Sequence, residues 1–129
     1  MIVAGVGCRA GATASEIEAA IAAALDRAGF AGRQLDMIAT SQVKSGEAGI
    51  VAAASARGTR LVAVPQAELE QAGTRVVTRS AYVAAVTGVP SLSEAAALAA
   101  GGPDARLLVP RIAVGLATCA LATTTGDAP

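Results

Sequence analysis

An apolar run from Ile2 to Val6 breaks into Gly5, Gly7 and Gly11, and from Thr13 to Ala28 apolar residues recur at Ile17, Ala20, Ile21, Ala24, Leu25 and Ala28. Spacings of three and four put those side chains on one face of a helix, whereas the run before the glycines has the length and composition of a buried strand. Thr13 and Glu16 stand at capping-box spacing, with the hydroxyl placed to take an orphan N–H, and Gly29 closes the helix. Strand, glycine loop and helix in succession form the opening unit of an alternating α/β fold, and no other feature limits the architecture as strongly.

The alternation continues. Leu35 to Thr40 reads as a second strand, Ala48 to Ala56 as a helix ended by Gly58, and Arg60 to Val64 as a third strand stopped by Pro65. Ala67 to Gln71 makes a short helix, Arg75 to Thr78 a short strand or extended segment, and Arg79 to Gly88 fits either helix or loop. Ser91 and Glu94 repeat the capping-box spacing after Pro90, and Leu92 to Ala100 runs as a helix until Gly101-Gly102-Pro103. Arg106 to Val109 and Ile112 to Ala122 are β-rich runs separated only by Pro110 and Arg111. That link is too short for a crossover helix, so the two are expected to pair antiparallel. The expected fold class is α/β: a three-layer α/β/α sandwich with a mixed five- to six-stranded sheet, residues 1–122 forming a single domain and 123–129 a frayed tail.

The material for a core is present, with 53% hydrophobic residues against 16% charged, but the only aromatic side chains are Phe30 and Tyr82. Alanine supplies much of the rest, so close backbone approach must replace side-chain volume. Ten basic and ten acidic residues cancel without forming blocks. The steering field of a nucleic-acid binder is therefore absent, and two rings make a poor base-stacking platform. There is no histidine, which removes the commonest general base and metal ligand, so no metal site and no bound cofactor is expected. The longest uncharged apolar run, Ile112 to Ala122, is too short to span a bilayer, and no basic segment precedes Ile2; a cytoplasmic protein with no membrane partner is expected. Cys8 and Cys119 lie far apart in or beside apolar runs and read as reduced thiols.

The chemistry concentrates in Gly5-Val6-Gly7-Cys8-Arg9-Ala10-Gly11-Ala12-Thr13. Glycines between a strand end and a helix start let backbone N–H groups approach an anion at the positive end of a helix, and Gly7 to Gly11 with Ala10 between them are the candidate cradle; the alternative is that the glycines only make the turn. No acidic residue follows the second strand and no GKS or GKT follows the glycines, so a nicotinamide site and a P-loop are both disfavoured. Arg9 either aims a guanidinium at a bound carboxylate or lies on the surface. Cys8 is either a packing thiol or, beside an Arg at a helix start, a nucleophile. Lys44 and Glu47 precede the second helix, at the same sheet edge as the glycine loop if the strands run parallel, and are either ligand-facing or solvated. Ser91 and Glu94 are read first as helix caps.

Gly5-x-Gly7-Cys8-Arg9-x-Gly11 followed by Ser15-Glu16-Ile17 resembles the opening of the CobE/CbiG C-terminal family. Lys44 with Glu47 sits where that family carries Lys-x-x-Glu, Gly88 to Leu98 is similar to its GV-x-S-V-x-E-A-A-A-L segment, and Leu108-Val109-Pro110-Arg111 resembles its LVxPK strand end, with Arg111 where Lys is common. The resemblance implies cobalamin biosynthesis. Its implied ligand is a carboxylate-rich precorrin or other corrinoid intermediate, bound or handed on, with Gly7, Cys8, Arg9, Ala10, Gly11, Lys44, Glu47 and Ser91 as binding residues. Other enzymes of the pathway are implied partners. An alternative implied by two-part CbiG proteins is a lactone or C–C hydrolase acting on cobalt-precorrin-5A, with Lys44, Glu47 or Cys8 moving protons; a scaffold docking on a pathway enzyme is a further one.

Overall fold

β1 (Ile2–Cys8) divides its side chains between two cores: Ile2, Ala4 and Val6 enter one, and Val3 the other. The computed structural model of the protein describes residues 1–124, and in it β1 is the middle strand of a five-stranded sheet ordered β3-β2-β1-β5-β4. β2 (Met37–Ser41) runs parallel to β1, and β3 (Leu61–Val64) parallel to β2. β5 (Ala117–Thr123) lies antiparallel on the other side of β1 and carries β4 (Arg106–Val114) as the outer strand. α1 (Ala14–Arg27) and α2 (Ala48–Arg57) cover one face, burying Ile17, Ile21, Leu25 and Ile50 against Ile38, Cys119 and Leu121. α3 (Gln66–Ala72) and α5 (Leu92–Gly101) cover the other, burying Leu69, Leu92 and Ala95 to Leu98 against Val3, Met37 and Ala122. This is the mixed-sheet, three-layer α/β sandwich expected from the alternation.

The alanine-rich composition works through glycine. A Cβ on Gly5 would overlap the Ser93 carbonyl oxygen and stand 2.6 Å from the Ala97 amide nitrogen, so α5 lies directly on the backbone of β1. Gly5 therefore belongs to helix–sheet packing, not to the loop that follows it. With Ala95, Ala96 and Ala97 all fully buried, the layer gains from close approach what it lacks in ring side chains.

Several local expectations are corrected. The two final strands are not divided at Pro110-Arg111; β4 runs through both, and the hairpin turns at Gly115-Leu116, where Gly115 takes φ of 57°. An outer strand needs no outward N–H at every position, so it accepts proline, and the pairing register shifts on either side of Val109. Of the two readings for Arg75 to Thr78, the extended segment holds: a 3₁₀ turn, Gly73–Arg75, leads into extended chain. The ambiguous stretch contains a helix, α4 (Ala81–Thr87), capped by Ser80 and ended by Gly88 in the left-handed region. Of the tail expected to fray, Thr123 pairs with Ile2 inside β5 and the Thr124 amide donates to the Met1 carbonyl; residues 125–129 lie outside the described part.

The capping box expected at α5 is also not made. Ser91 is the N-cap, but its hydroxyl caps nothing, and the hydroxyls of Ser91 and Ser93 are both buried without a hydrogen-bond partner. Glu94 faces away from the helix start. Its fully buried carboxylate accepts from the amides of Val77 at 2.7 Å, Thr78 at 3.0 Å and Arg111 at 2.9 Å. Burial alone raises the pKa of this carboxyl, yet the hydrogen bonds from Arg111, from the Thr78 hydroxyl and amide and from Val77 together outweigh it and leave the group below the ordinary glutamate value. No single helix among the described residues is long and apolar enough to cross a membrane.

Two predictions follow from these contacts. Glu94→Gln puts an amide donor among three backbone donors and should cost about 2–4 kcal/mol in urea unfolding at neutral pH. Because the folded-state pKa of Glu94 is lowered, its contribution is complete above the unfolded carboxyl value of about 4.3 and is lost as pH falls through the lower folded value; the gap between wild type and variant should therefore narrow only in acid. A gap independent of pH would show that the charge is not what the amides hold. Gly5→Ala should cost about 3 kcal/mol or more, because α5 must lift from the sheet; a variant as stable as wild type would refute the close approach.

Candidate functional site

The carboxyl ends of β1 and β2 open at one edge, and beside them stand the β4–β5 hairpin tip and α4. Together they enclose a cleft of about 590 Å³. Its floor is Gly7 and Thr118, where a Cβ on Gly7 would sit 2.9 Å from the Thr118 hydroxyl. Leu92, Val83, Val86 and Leu116 supply apolar wall, and Arg9, Lys44 and Arg111 reach it from three different segments.

The glycine loop is held from two sides. The Arg9 amide donates to the Leu116 carbonyl at 2.9 Å, and the Ala12 amide to the Arg9 carbonyl at 3.2 Å. Gly11 takes φ of 85°, which turns the chain into α1. The capping box is present as expected: Thr13 Oγ1 accepts from the Glu16 amide, and Glu16 Oε1 from the Thr13 amide. Glu16 also does something no local pattern announces, since its Oε2 accepts from the Leu116 amide at 2.9 Å, 100 residues away. Hydrogen bonds from the Thr13 and Leu116 amides lower the Glu16 pKa.

This arrangement corrects the main-chain cradle. The start of α1 carries its own carboxylate, Gly7 and Cys8 lie in register with Thr118 and Ala117 in the β5 ladder, and the Arg9 amide is spent on the hairpin. Among the described residues the Ala10 and Gly11 amides in this loop have no protein partner. The positive character of the cleft comes from side chains.

Lys44 is presented by a turn in which its amide donates to the Ser41 carbonyl and to the Ser41 hydroxyl, both at 3.1 Å. Glu47 becomes the N-cap of α2 without a side-chain cap bond. Cys8, Lys44 and Glu47 are close enough to influence one another: burial pushes the Cys8 thiol up, Lys44 pulls it down, and Glu47 and Glu16 push it up again, leaving the thiol above its ordinary value. A thiol so placed is less ionised at neutral pH than a free cysteine, which is the reverse of an activated nucleophile. Cys119 is buried in the core, its thiol pushed up to about 12 by desolvation.

Of the residues expected at the site, Gly7, Cys8, Arg9, Ala10 and Lys44 line the cleft, whereas Gly11, Glu47 and Ser91 stand outside its lining. Gly11 shapes the loop, and Ser91 is buried at the start of α5. Arg111 was not among the expected site residues. Its amide is held by Glu94, and it lines the cleft at the register shift between Val109 and Ile112; the signal in the sequence is the Leu108-Val109-Pro110-Arg111 strand end. Arg9 lies over the ring of Tyr82, 5.1 Å from its centre, so α4 also contributes to a site that the sequence placed on loops alone. No ion pair involves Arg9, Lys44 or Arg111 among the described residues.

The family described as cobalamin synthesis G C-terminus matches residues 2–122. Protein CobE from Sinorhizobium sp. is 35% identical over 121 residues, covering 94% of this chain and 79% of its own length. The crystal structure of CobE, a protein from the cobalamin (vitamin B12) biosynthetic pathway, superposes with a TM-score of 0.88 at 30% identity, over 95% of this chain and 92% of that one. The cobalamin biosynthesis protein ChiG from Agrobacterium tumefaciens str. C58 superposes with a TM-score of 0.77 at 41% identity, over 97% and 99%. With a family match over nearly its whole described length and relatives that share both sequence and fold, the chain belongs to the CobE/CbiG C-terminal family of cobalamin biosynthesis proteins.

Proposed function

We propose that the cleft binds a carboxylate-rich precorrin or other corrinoid intermediate and holds it or hands it on to another enzyme of the pathway in the cytoplasm. The observation that carries this reading is the convergence of Arg9, Lys44 and Arg111 on one cleft without an ion-pair partner among the described residues. Cations without an ion-pair partner favour a ligand that brings several carboxylates of its own, and a guanidinium meets one with two-point geometry. The apolar wall suits the other half of such a molecule, a macrocycle whose faces and methyl groups are poorly hydrated. The Ala10 amide, without a protein partner among the described residues, adds a backbone donor.

The lining favours holding over bond-breaking. General acid–base catalysis works best with a group whose pKa lies near the working pH; of the three candidate proton carriers, the Cys8 thiol is displaced upward and Glu47 stands outside the lining, which leaves Lys44 as the one in the cleft.

The test is an absorbance titration with cobyrinic acid, a carboxylate-bearing corrin, against cobinamide, in which the carboxylates are amides. Saturable binding of the acid, weakened by salt, with little binding of the amide is expected. Arg9→Ala, Lys44→Ala and Arg111→Ala should each weaken it by roughly 10-fold, the worth of one charge-assisted hydrogen bond. Equal binding of acid and amide, or affinities unchanged in all three variants, would remove the basis for this function.

A further inference from the structure

The helix α4 is unlike the other helices of the fold, because none of its residues is buried. Its chain neighbours are nevertheless firmly held. Just before it, the amides of Val77 and Thr78 are gripped by the buried Glu94 carboxylate; just after it, Val89 is buried in the core at 1% exposure. The two ends are also joined, since the Ser80 amide donates to the Pro90 carbonyl at 3.1 Å. Residues 79–88 thus form a short loop-and-helix excursion with closed ends, and Gly88, at φ of 80°, is its left-handed joint. The excursion lies beside the cleft with Tyr82, Val83 and Val86 toward it, yet Tyr82 is 60% exposed and Val86 66%. Apart from its closed ends, it meets the rest of the protein through Arg9 over the Tyr82 ring, through the Gln66 side chain, which donates to the Thr87 carbonyl, and through half-buried Val83, which packs against the core on the α5 side of the sheet.

We infer that residues 79–88 are a hinged flap over the cleft, latched in the free protein by Arg9 on Tyr82, and that a bound polycarboxylate macrocycle exchanges this latch for its own contacts. A ligand carboxylate takes the Arg9 guanidinium, for which an anion is a stronger partner than a ring face. The apolar residues of α4 then cover the macrocycle and lose their exposure to water. The flap is drawn from the least buried part of the fold, where local opening costs least. This inference rests on the proposed binding function and adds a moving part and a contact residue, Tyr82, to it.

Hydrogen exchange followed by mass spectrometry separates the two. In the free protein, Tyr82→Leu keeps an apolar side chain but removes the latch, and exchange within 79–88 should rise by about 2- to 5-fold with the rest of the chain unchanged; Arg9→Gln, which releases the latch from the other side, should do the same. In wild type, saturating cobyrinic acid should slow exchange both in Cys8–Gly11 and in 79–88. Binding that protects Cys8–Gly11 and leaves 79–88 unchanged overturns the flap and keeps the binding function. Exchange in 79–88 unaltered by both substitutions overturns the latch, whatever the ligand does. Absence of saturable binding overturns the binding function, and the flap's role goes with it.

Discussion

The cleft depends on a carboxylate that never reaches it. Glu94 sits fully buried at the first turn of α5 and accepts from three backbone amides belonging to two distant segments, the chain at Val77-Thr78 and the outer strand at Arg111. A buried charge is tolerable only when its lone pairs are filled, and three amide donors meet that requirement without a counter-charge. The consequence is geometric. One residue ties down β4 at Arg111, within the register shift between Val109 and Ile112, and also holds the chain at Val77-Thr78 that leads into α4.

Glu16 performs the matching task on the opposite wall. It completes the cap of α1 and also holds the hairpin tip through the Leu116 amide, so the glycine loop and the β4–β5 turn form one rim. Both carboxylates are consumed by backbone donors. A chain with equal numbers of acidic and basic residues can in this way present a cleft whose cations have no ion-pair partner among the described residues. Net charge describes the field at a distance, whereas the pairing of individual side chains decides the field inside a concave site.

The relation between rigidity and function follows from the same contacts. Floor and walls are set by strand ladders, by the close approach of Gly5 to α5, and by the two carboxylates. α4 alone stands on this frame without burying a residue. A fixed set of cations with a loosely seated apolar cover is a reasonable design for a protein that must accept a large ligand and release it again, since pre-organised charge lowers the cost of capture and a cover of small contact area opens readily.

Sequence by itself determined the frame: helical spacing from Ile17 to Ala28, the Thr13–Glu16 cap and the strand–glycine–helix opening are all local patterns, and the motifs along the chain sufficed to indicate the family. It put Arg9 and Lys44 at one sheet edge only on the condition that their strands run parallel, and the pairing of β1 with β2 supplies that condition. Tertiary structure decided the rest. Ser91 with Glu94 has the spacing of a cap, and only the arrival of Val77, Thr78 and Arg111 draws the carboxylate elsewhere. Pro110 looks like a strand end until the strand is known to be outermost, and Arg111 and Tyr82 join the site through contacts with segments remote in sequence. Caps, turns and amphipathic faces are properties of a few neighbouring residues, whereas the partner of a buried charge is chosen by whatever the fold brings within about 3 Å of it, and that choice is written in no single stretch of the chain.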